Sequence, residues 1–248
     1  RKPETLKKYK EKLDDEIEFY SFIQWMFDVQ WKKLKKYANE KGVKIIGDVP
    51  IYVAFDSADA WANPELFQFD ENFTPIAVAG CPPDAFSATG QLWGNPLYDW
   101  EALKKDNYSW WVNRIKRMLE LVDCIRIDHF RGFEAYWSIP YGEKTAVNGK
   151  WIPGPNIDIF KAIKKALGDI PVIAEDLGVI TDGVKKLRDD CEFPGMKVLQ
   201  FAFDPNEAGK EGMVNAFLPH MYPQASVVYT GTHDNDTMQG WLDQADDV

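Results

Sequence analysis

The chain has 248 residues, of which 45% are hydrophobic and 27% charged, and its formal net charge is −10. This composition is typical of a globular protein with a sizeable core, and the negative charge argues against nucleic acid or an anionic membrane as the main partner. The three cysteines are far apart and lack the spacing of a zinc site. Free thiols, together with no recognisable signal peptide and no long apolar run, predict a cytoplasmic protein that does not span a membrane.

The first part of the chain is predicted to be helical. Apolar residues recur at helical spacing over the first forty residues, and Gly42 is placed to end the helix. A short strand is expected at 43–49. The segment 50–107 is rich in Pro, Gly, Asn and aromatic residues, and so long a connection is usually functional or carries small elements of its own.

Beyond residue 107, helices and strands are predicted to alternate. Four helices each precede a strand, and the helix–strand pairs are 108–121 with 123–127, 157–167 with 171–174, 181–190 with 196–203, and 211–218 with 226–231. A last helix is expected to start near Thr237. This alternation is typical of right-handed βαβ units with a parallel sheet. The five predicted strands are fewer than the eight of a closed (β/α)8 barrel.

Four of the five predicted strands have an acid at or just past their last apolar residue. These acids are Asp48, Asp128, Glu175 and Asp234. Because the carboxyl ends of parallel strands share one edge, where active sites of such folds lie, we expect the four acids to converge. A single acid there could be a helix N-cap, but four in a chain of this length favour a site.

Arg126 and Asp128, in the strand that opens "CIRIDHFRG", suggest how two of these carboxyls differ. Successive side chains of a strand point to opposite faces, so Arg126 and Asp128 are expected to share a face. The guanidinium is expected to lower the pKa of Asp128 and keep it ionised, as suits a nucleophile. Glu175 follows the apolar residues 172–174 and is expected to hold its proton and act as an acid.

From the chemistry of these residues alone, three hypotheses for the function of the four acids remain open. One is retaining glycoside chemistry, in which a third carboxylate steadies the cation-like transition state. Another is a magnesium-dependent barrel lyase of the enolase type. The third is a non-catalytic sugar-binding module with structural acids. The aromatic-rich segment 50–107 favours a sugar over a metal, because flat aromatic faces stack on sugar rings.

Several long motifs resemble one enzyme family. They are "GDVPIYVAFDSADAWANPELF", "AGCPPDAFSATGQLWGNPLYDW", "RIDHFRGFEAYWSIP", "AEDLGVIT", "FPGMKVLQFAFD" and "YTGTHDNDT". They are similar to motifs of the 4-α-glucanotransferases called amylomaltase or disproportionating enzyme, which belong to the α-amylase clan of (β/α)8 barrels. The resemblance covers nearly all of the chain after the first residues.

The resemblance implies a role for each acid. Asp128 matches the family nucleophile, Glu175 the general acid/base, and Asp234 the stabiliser of the transition state. The residues that match the family's sugar subsite are Asp48, Arg126, His129 and His233. The partners it implies are α-1,4-glucans and malto-oligosaccharides. It implies no cofactor and no metal.

The segment "AGCPPDAFSATGQLWGNPLYDW" resembles a family loop that folds over the cleft as a lid. Trp93 is its best candidate for stacking on substrate, and Asp84 and Asn95 are weaker polar candidates. A lid would favour transfer over hydrolysis, because it keeps water from the intermediate until an acceptor sugar arrives.

Family members are roughly twice this long, which shapes the expected architecture. By motif order the predicted strands correspond to barrel strands three to seven. The expected fold is therefore α/β, a partial (β/α)8-type barrel over 1–248 with the lid-bearing insertion 50–107 after barrel strand three. Such a piece leaves open sheet edges, which self-association could cover.

Overall fold

The computed structural model describes residues 2–84, 87–203 and 214–244. In chain order the helices are α1 (Pro3–Lys12), α2 (Asp14–Glu40), α3 (Ala58–Ala62), α4 (Trp100–Lys105), α5 (Ser109–Leu121), α6 (Ile157–Leu167), α7 (Asp182–Asp190) and α8 (Met238–Gln244). The strands are β1 (Ile46–Pro50), β2 (Ala77–Cys81), β3 (Gln91–Pro96), β4 (Cys124–Asp128), β5 (Ala135–Pro140), β6 (Lys150–Pro153), β7 (Val172–Ala174), β8 (Gly195–Val198) and β9 (Ser226–Tyr229).

The helical start of the chain is confirmed, with one break at Leu13 between α1 and α2. Gly42 follows α2 with a φ of 75°, a left-handed conformation that glycine adopts without strain and that commonly ends a helix. Near its carboxyl end, α2 is fastened to the end of α5: Trp31 Nε1 donates to the Leu121 carbonyl at 2.7 Å, and Lys35 Nζ to that of Val122 at 2.8 Å.

All five predicted strands are present, one of them shorter than expected, and they pair in parallel. Three of them form a sheet in the order β1-β4-β7, and β8 pairs with β9. The Ala174 amide at the end of β7 donates to the Pro194 carbonyl at 2.9 Å, which joins the two groups of strands. The five strands thus follow one another in space in their chain order, with their carboxyl ends pointing the same way.

A second, antiparallel sheet has the order β3-β2-β5-β6. Its strands β2 and β3 come from the segment 50–107, whereas β5 and β6 follow the parallel strand β4. The segment 50–107 carries small elements of its own, as expected, but β5 and β6 were not predicted. This sheet holds the segment with Trp93 against the chain that continues from Asp128.

The core lies between the parallel strands and the helices α5 and α6, and much of it is aromatic. Trp111, Phe130 and Phe133 are almost fully buried. The Trp111 and Phe133 ring centroids are 5.2 Å apart, and those of Phe133 and Phe160 are 5.1 Å apart. Truncating one such side chain to alanine costs about 3–5 kcal/mol, so this cluster rigidly supports the 3₁₀ turn Phe130–Phe133 that follows Asp128.

Two predicted elements were wrong in part. The strand expected at 196–203 ends at Val198, after which residues 199–203 form a 3₁₀ helix. There the backbone N–H of Gln200 still donates to the Thr230 carbonyl at 3.1 Å, just past the end of β9. Of the helix expected at 211–218, residues 214–218 are not helical, and the start of that prediction lies outside the described residues.

The helix α2 keeps a long apolar surface exposed. Its exposed side chains include Phe19, Phe22, Ile23, Trp25 and Phe27. Among the described residues, no helix combines the length and the apolar character needed to cross a lipid bilayer.

Candidate active site

Arg126 in β4 is the centre of a cluster at the carboxyl end of the parallel strands. Its Nη1 donates to Asp48 Oδ1 at 2.7 Å, and its Nη2 lies 2.9 Å from Asp128 Oδ1. The side chain of Arg126 is only 11% exposed, whereas Asp48 and Asp128 are 42% and 39% exposed. Arg126 and Asp128 therefore share a face, as the strand alternation predicted, and two partners compensate the buried cation.

A cleft of about 420 Å³ opens beside this cluster. It is lined by residues from four of the parallel strands and from the loop after β9, among them Asp48, Arg126, Met196, Tyr229 and His233. A concave site with a few convergent polar groups is the usual form of a small-molecule site. The fold therefore places Asp48, Arg126 and His233, three of the predicted sugar-binding residues, around one cavity.

Arg126 lowers the pKa of Asp128, as expected, but the expectation that the pKa is lowered overall was wrong. Burial raises the pKa of Asp128 above its ordinary value, and the neighbouring Asp48 and Asp234 charges add to this rise. The attraction of Arg126 acts in the opposite sense but does not outweigh burial. Arg126 is thus the group that limits the rise and keeps Asp128 available as an anion.

Glu175, directly after β7, is buried and behaves as predicted for an acid. Burial raises its pKa to about 7, and the charge of Asp128 contributes to the rise. Its two carboxyl oxygens accept backbone N–H groups, Oε2 from His129 at 2.8 Å and Oε1 from Leu177 at 2.7 Å. These bonds fix the orientation of the carboxyl group, and a pKa near neutrality suits a group that must donate and then recover a proton.

His129 follows Asp128 in a left-handed backbone conformation with a φ of 51°. Its ring is buried, and burial lowers its pKa to about 3, with the nearby Arg131 charge adding to the effect. Its Nε2 has no hydrogen-bond partner among the described residues. The imidazole is therefore neutral, and the protein encloses a ring nitrogen that can donate or accept a hydrogen bond.

Trp93 in β3 lies over this histidine. The two ring centroids are 4.8 Å apart at an interplanar angle of 89°, an edge-to-face contact. The Trp93 side chain stays partly exposed, and its Nε1 donates to Gln91 Oε1 at 2.9 Å. The predicted lid residue is therefore next to the predicted sugar site.

Asp84 and Asn95, the weaker polar candidates of the same segment, have local partners. Asp84 Oδ1 accepts the Ser87 amide at 2.8 Å. The Asn95 side-chain amide donates to the Val53 carbonyl at 2.9 Å and so ties β3 to the chain after β1. Two residues of the predicted lid, 85 and 86, lie outside the described residues.

His233 and Asp234 lie in the loop after β9 and are the most exposed members of the site. Their side chains are 67% and 70% exposed, and His233 Nε2 lies 3.4 Å from Asp234 Oδ1. The Asp234 amide donates to Thr232 Oγ1 at 3.2 Å. The charge of Asp234 acts on Asp128 and the charge of Asp128 acts on Glu175, so the three predicted catalytic carboxyls form one electrostatic group.

Sequence reasoning missed three side chains that support the site. Met196 in β8 contacts Arg126 with its sulfur. Asp176 is buried behind Glu175 and pairs with Arg188 at 2.6 Å. Arg131 stacks on Trp151, with its guanidinium carbon 3.7 Å from a ring centroid. The strong signal for Asp176 was present in "AEDLG", because an acid directly after a buried strand must be paired.

Across the described parts of the chain, no group of three or more His, Cys, Asp and Glu side chains is arranged to hold a metal ion. Asp48 and Asp128 are engaged with Arg126, and Glu175 with backbone amides.

Comparison with known proteins decides the family. The model of the family described as 4-alpha-glucanotransferase matches residues 1–248. The chain belongs to the 4-alpha-glucanotransferase family. It is 55% identical over 244 residues to a 4-alpha-glucanotransferase of Clostridium butyricum, covering 98% of this chain and 49% of the relative. It is 54% identical to one of Thermus thermophilus, covering 97% of this chain and 47% of that protein.

Solved structures agree with this family assignment. An amylomaltase from Streptococcus agalactiae, determined in complex with acarbose, superimposes with a TM-score of 0.92 at 43% identity and covers 98% of this chain and 48% of its own. The amylomaltase of Corynebacterium glutamicum gives a TM-score of 0.76 at 25% identity, over 93% of this chain and 32% of its own. The chain thus has the mixed α/β fold of these 4-alpha-glucanotransferases and spans about half the length of the curated relatives it matches.

Proposed function

We propose that this chain carries the catalytic centre of a 4-α-glucanotransferase that moves α-1,4-glucan segments to the 4-hydroxyl of an acceptor sugar. The observation that carries the proposal is that two carboxyls of the site lie in environments that favour different protonation states. Asp128 is ion-paired with Arg126, and Glu175 has a pKa of about 7. Two carboxyls whose environments separate their acid and base roles are the basis of retaining glycoside chemistry.

In the first step, Asp128 attacks the anomeric carbon of the donor glucan. The bond to the glycosidic oxygen breaks, and that oxygen takes the proton of Glu175, so that the shortened glucan leaves as an alcohol. The product is a glucosyl ester on Asp128, with Glu175 left as a carboxylate. Asp234 stabilises the positive charge that develops on the sugar ring between the two states.

In the second step, Glu175 takes the proton from the 4-hydroxyl of an acceptor sugar. The acceptor oxygen attacks the anomeric carbon, the ester bond breaks, and Asp128 returns to a carboxylate. Two displacements retain the configuration at the anomeric carbon. The cleft beside Arg126 offers Asp48 and His233 for the hydroxyls of the sugar that is transferred.

The segment around Trp93 is proposed to act as the lid that favours transfer. Water and an acceptor sugar compete for the same ester, so covering the ester until a sugar binds lowers hydrolysis. Trp93 supports this role because its partly exposed ring lies against His129 beside the site.

The finer architecture is proposed on the same grounds. The five parallel strands correspond to strands three to seven of a (β/α)8 barrel, with residues 50–107 as the insertion that carries the lid. Open strand edges and the exposed apolar side chains of α2 favour self-association of this chain. Sedimentation over a range of concentrations tests this, and a monomer at all concentrations would contradict it.

Maltotriose is the substrate that tests the proposed reaction. Glucose together with oligosaccharides longer than maltotriose is the expected result, and EDTA should not change it. Shorter sugars alone would identify a hydrolase. An Asp128→Asn variant serves as the control for contaminating enzymes. If the chain binds malto-oligosaccharides but yields no product, the non-catalytic glucan-binding alternative holds.

A further inference from the structure

The guanidinium of Arg126 has a third partner besides its two carboxylates. Its Nε lies 3.3 Å from Sδ of Met196, within the range of a hydrogen bond to sulfur, and Met196 is only 1% exposed. The donors Nη1 and Nη2 are directed to Asp48 and Asp128. Sulfur is a weak acceptor, but here it is the partner that the buried Nε–H has.

The backbone of Met196 is itself held in place by the buried carboxylate of Asp176. Its amide donates to Asp176 Oδ1 at 2.7 Å, and Asp176 Oδ2 accepts from Arg188 Nη1 at 2.6 Å. The Asp176 side chain is 3% exposed. A Cβ at the preceding Gly195 would lie 2.5 Å from the same carboxylate, so only glycine allows this close approach.

We propose that Met196 is a positioning residue for the nucleophile, because its sulfur fixes the plane of the Arg126 guanidinium that orients Asp128. The inference rests on the proposed role of Asp128. An aliphatic side chain of the same size would leave the buried Nε–H without a partner, and the guanidinium would then turn away from its place between Asp48 and Asp128.

The charges around Asp128 determine what such a change would do. Arg126 attracts its carboxylate, whereas Asp48 and Asp234 repel it. These two acids are untouched by a substitution at Met196, so a change in the pKa of Asp128 would report on Arg126. A looser guanidinium stabilises the anion less, and the pKa of Asp128 is expected to rise.

The experiment compares three variants of the chain. Met196→Leu keeps the volume and removes the sulfur, and such swaps usually preserve the fold. Met196→Gln supplies a carbonyl acceptor at a similar reach. Met118→Leu, a methionine of α5 that packs near Gly47, is the matched control. The readouts are the titration of the Asp128 carboxyl carbon by NMR and the kcat and KM for maltotriose.

For Met196→Leu we expect the pKa of Asp128 to rise by about 0.5 unit and kcat to fall about 5-fold, while KM stays within about 2-fold. Met196→Gln should recover part of both effects, and Met118→Leu should show neither. An unchanged Asp128 titration in Met196→Leu overturns the inference, as does an equal shift in Met118→Leu. Because the titration needs no turnover, a shift in a chain inactive on maltotriose would sustain the positioning role and refute the proposed function.

Discussion

Trp93 and His129 meet edge to face, with ring centroids 4.8 Å apart, although one belongs to the antiparallel sheet and the other directly follows the nucleophile strand β4. The contact joins the proposed lid to the proposed sugar subsite. Since the His129 ring is enclosed and the Trp93 ring that contacts it is partly exposed, removing the tryptophan ring would open the site to water without removing a catalytic group.

The lid function of Trp93 predicts a change in the fate of the intermediate. Trp93→Ala should raise the ratio of hydrolysis to transfer on maltotriose by about 3- to 10-fold, because water reaches the ester more easily. Product analysis by chromatography measures this ratio. Leu92→Ala is the control, since the adjacent side chain of the strand points to the opposite face. A ratio that does not change in Trp93→Ala would show that the ring is not part of the lid.

The raised pKa of Glu175 predicts a pH-dependent stability. Its folded-state pKa of about 7 exceeds the ordinary value of 4.5, so protonation favours the folded state. This contribution is complete below pH 4.5 and disappears as the pH rises through about 7. Glu175→Gln should therefore gain about 2–3 kcal/mol of unfolding free energy relative to wild type between about pH 4 and pH 8.

Urea denaturation at the two pH values measures this difference, and the exposed Glu120→Gln provides a control that should follow wild type. Glu175→Gln should also lose transfer activity by about 10²–10⁴-fold, the usual contribution of a general acid. A pH-independent difference in stability would show that the Glu175 carboxyl does not hold its proton.

The lowered pKa of His129 predicts the opposite pH dependence of folding stability. Its folded-state pKa of about 3 is lower than the ordinary 6.5, so the neutral ring favours the folded state. That contribution is present above pH 6.5 and is lost as the pH falls towards 3. His129→Asn, which tolerates a left-handed backbone, should resist acid better than wild type by about 3 kcal/mol at about pH 4. Parallel acid denaturation curves for the two proteins would contradict this.

Because Arg126 pairs with two carboxylates at once, we predict that lysine cannot replace it. A lysine ammonium is a point charge and cannot hold Asp48, Asp128 and the Met196 sulfur in one plane. Arg126→Lys should lower kcat/KM by about 100-fold or more and move the acidic limb of its pH profile to higher pH. Arg117→Lys, at a surface ion pair with Asp28, is the matched control. Wild-type kinetics in Arg126→Lys would remove Arg126 from the mechanism.

The sequence allowed the parallel strands and their terminal acids to be predicted, since apolar runs such as 172–174 identify strands and the acids follow directly. The antiparallel sheet could not be predicted, because β2 and β5 pair across the whole of α5 and β4. Nor could the net shift of Asp128, since alternation places Arg126 beside it but does not say how far neighbouring elements exclude water. The link to Met196 likewise depends on how β8 packs beside β7.

The antiparallel sheet also bears on how the specificity of this fold could be altered. β3 bonds to β2, and β2 pairs with β5, which begins at Ala135, only seven residues after Asp128. The segment with Trp93 is therefore not a detachable module that could be exchanged between relatives by grafting residues 77–96 alone. A chimera that retains ladder pairing must carry 135–153 as well, so recombination that changes the lid also exchanges the chain directly downstream of the nucleophile.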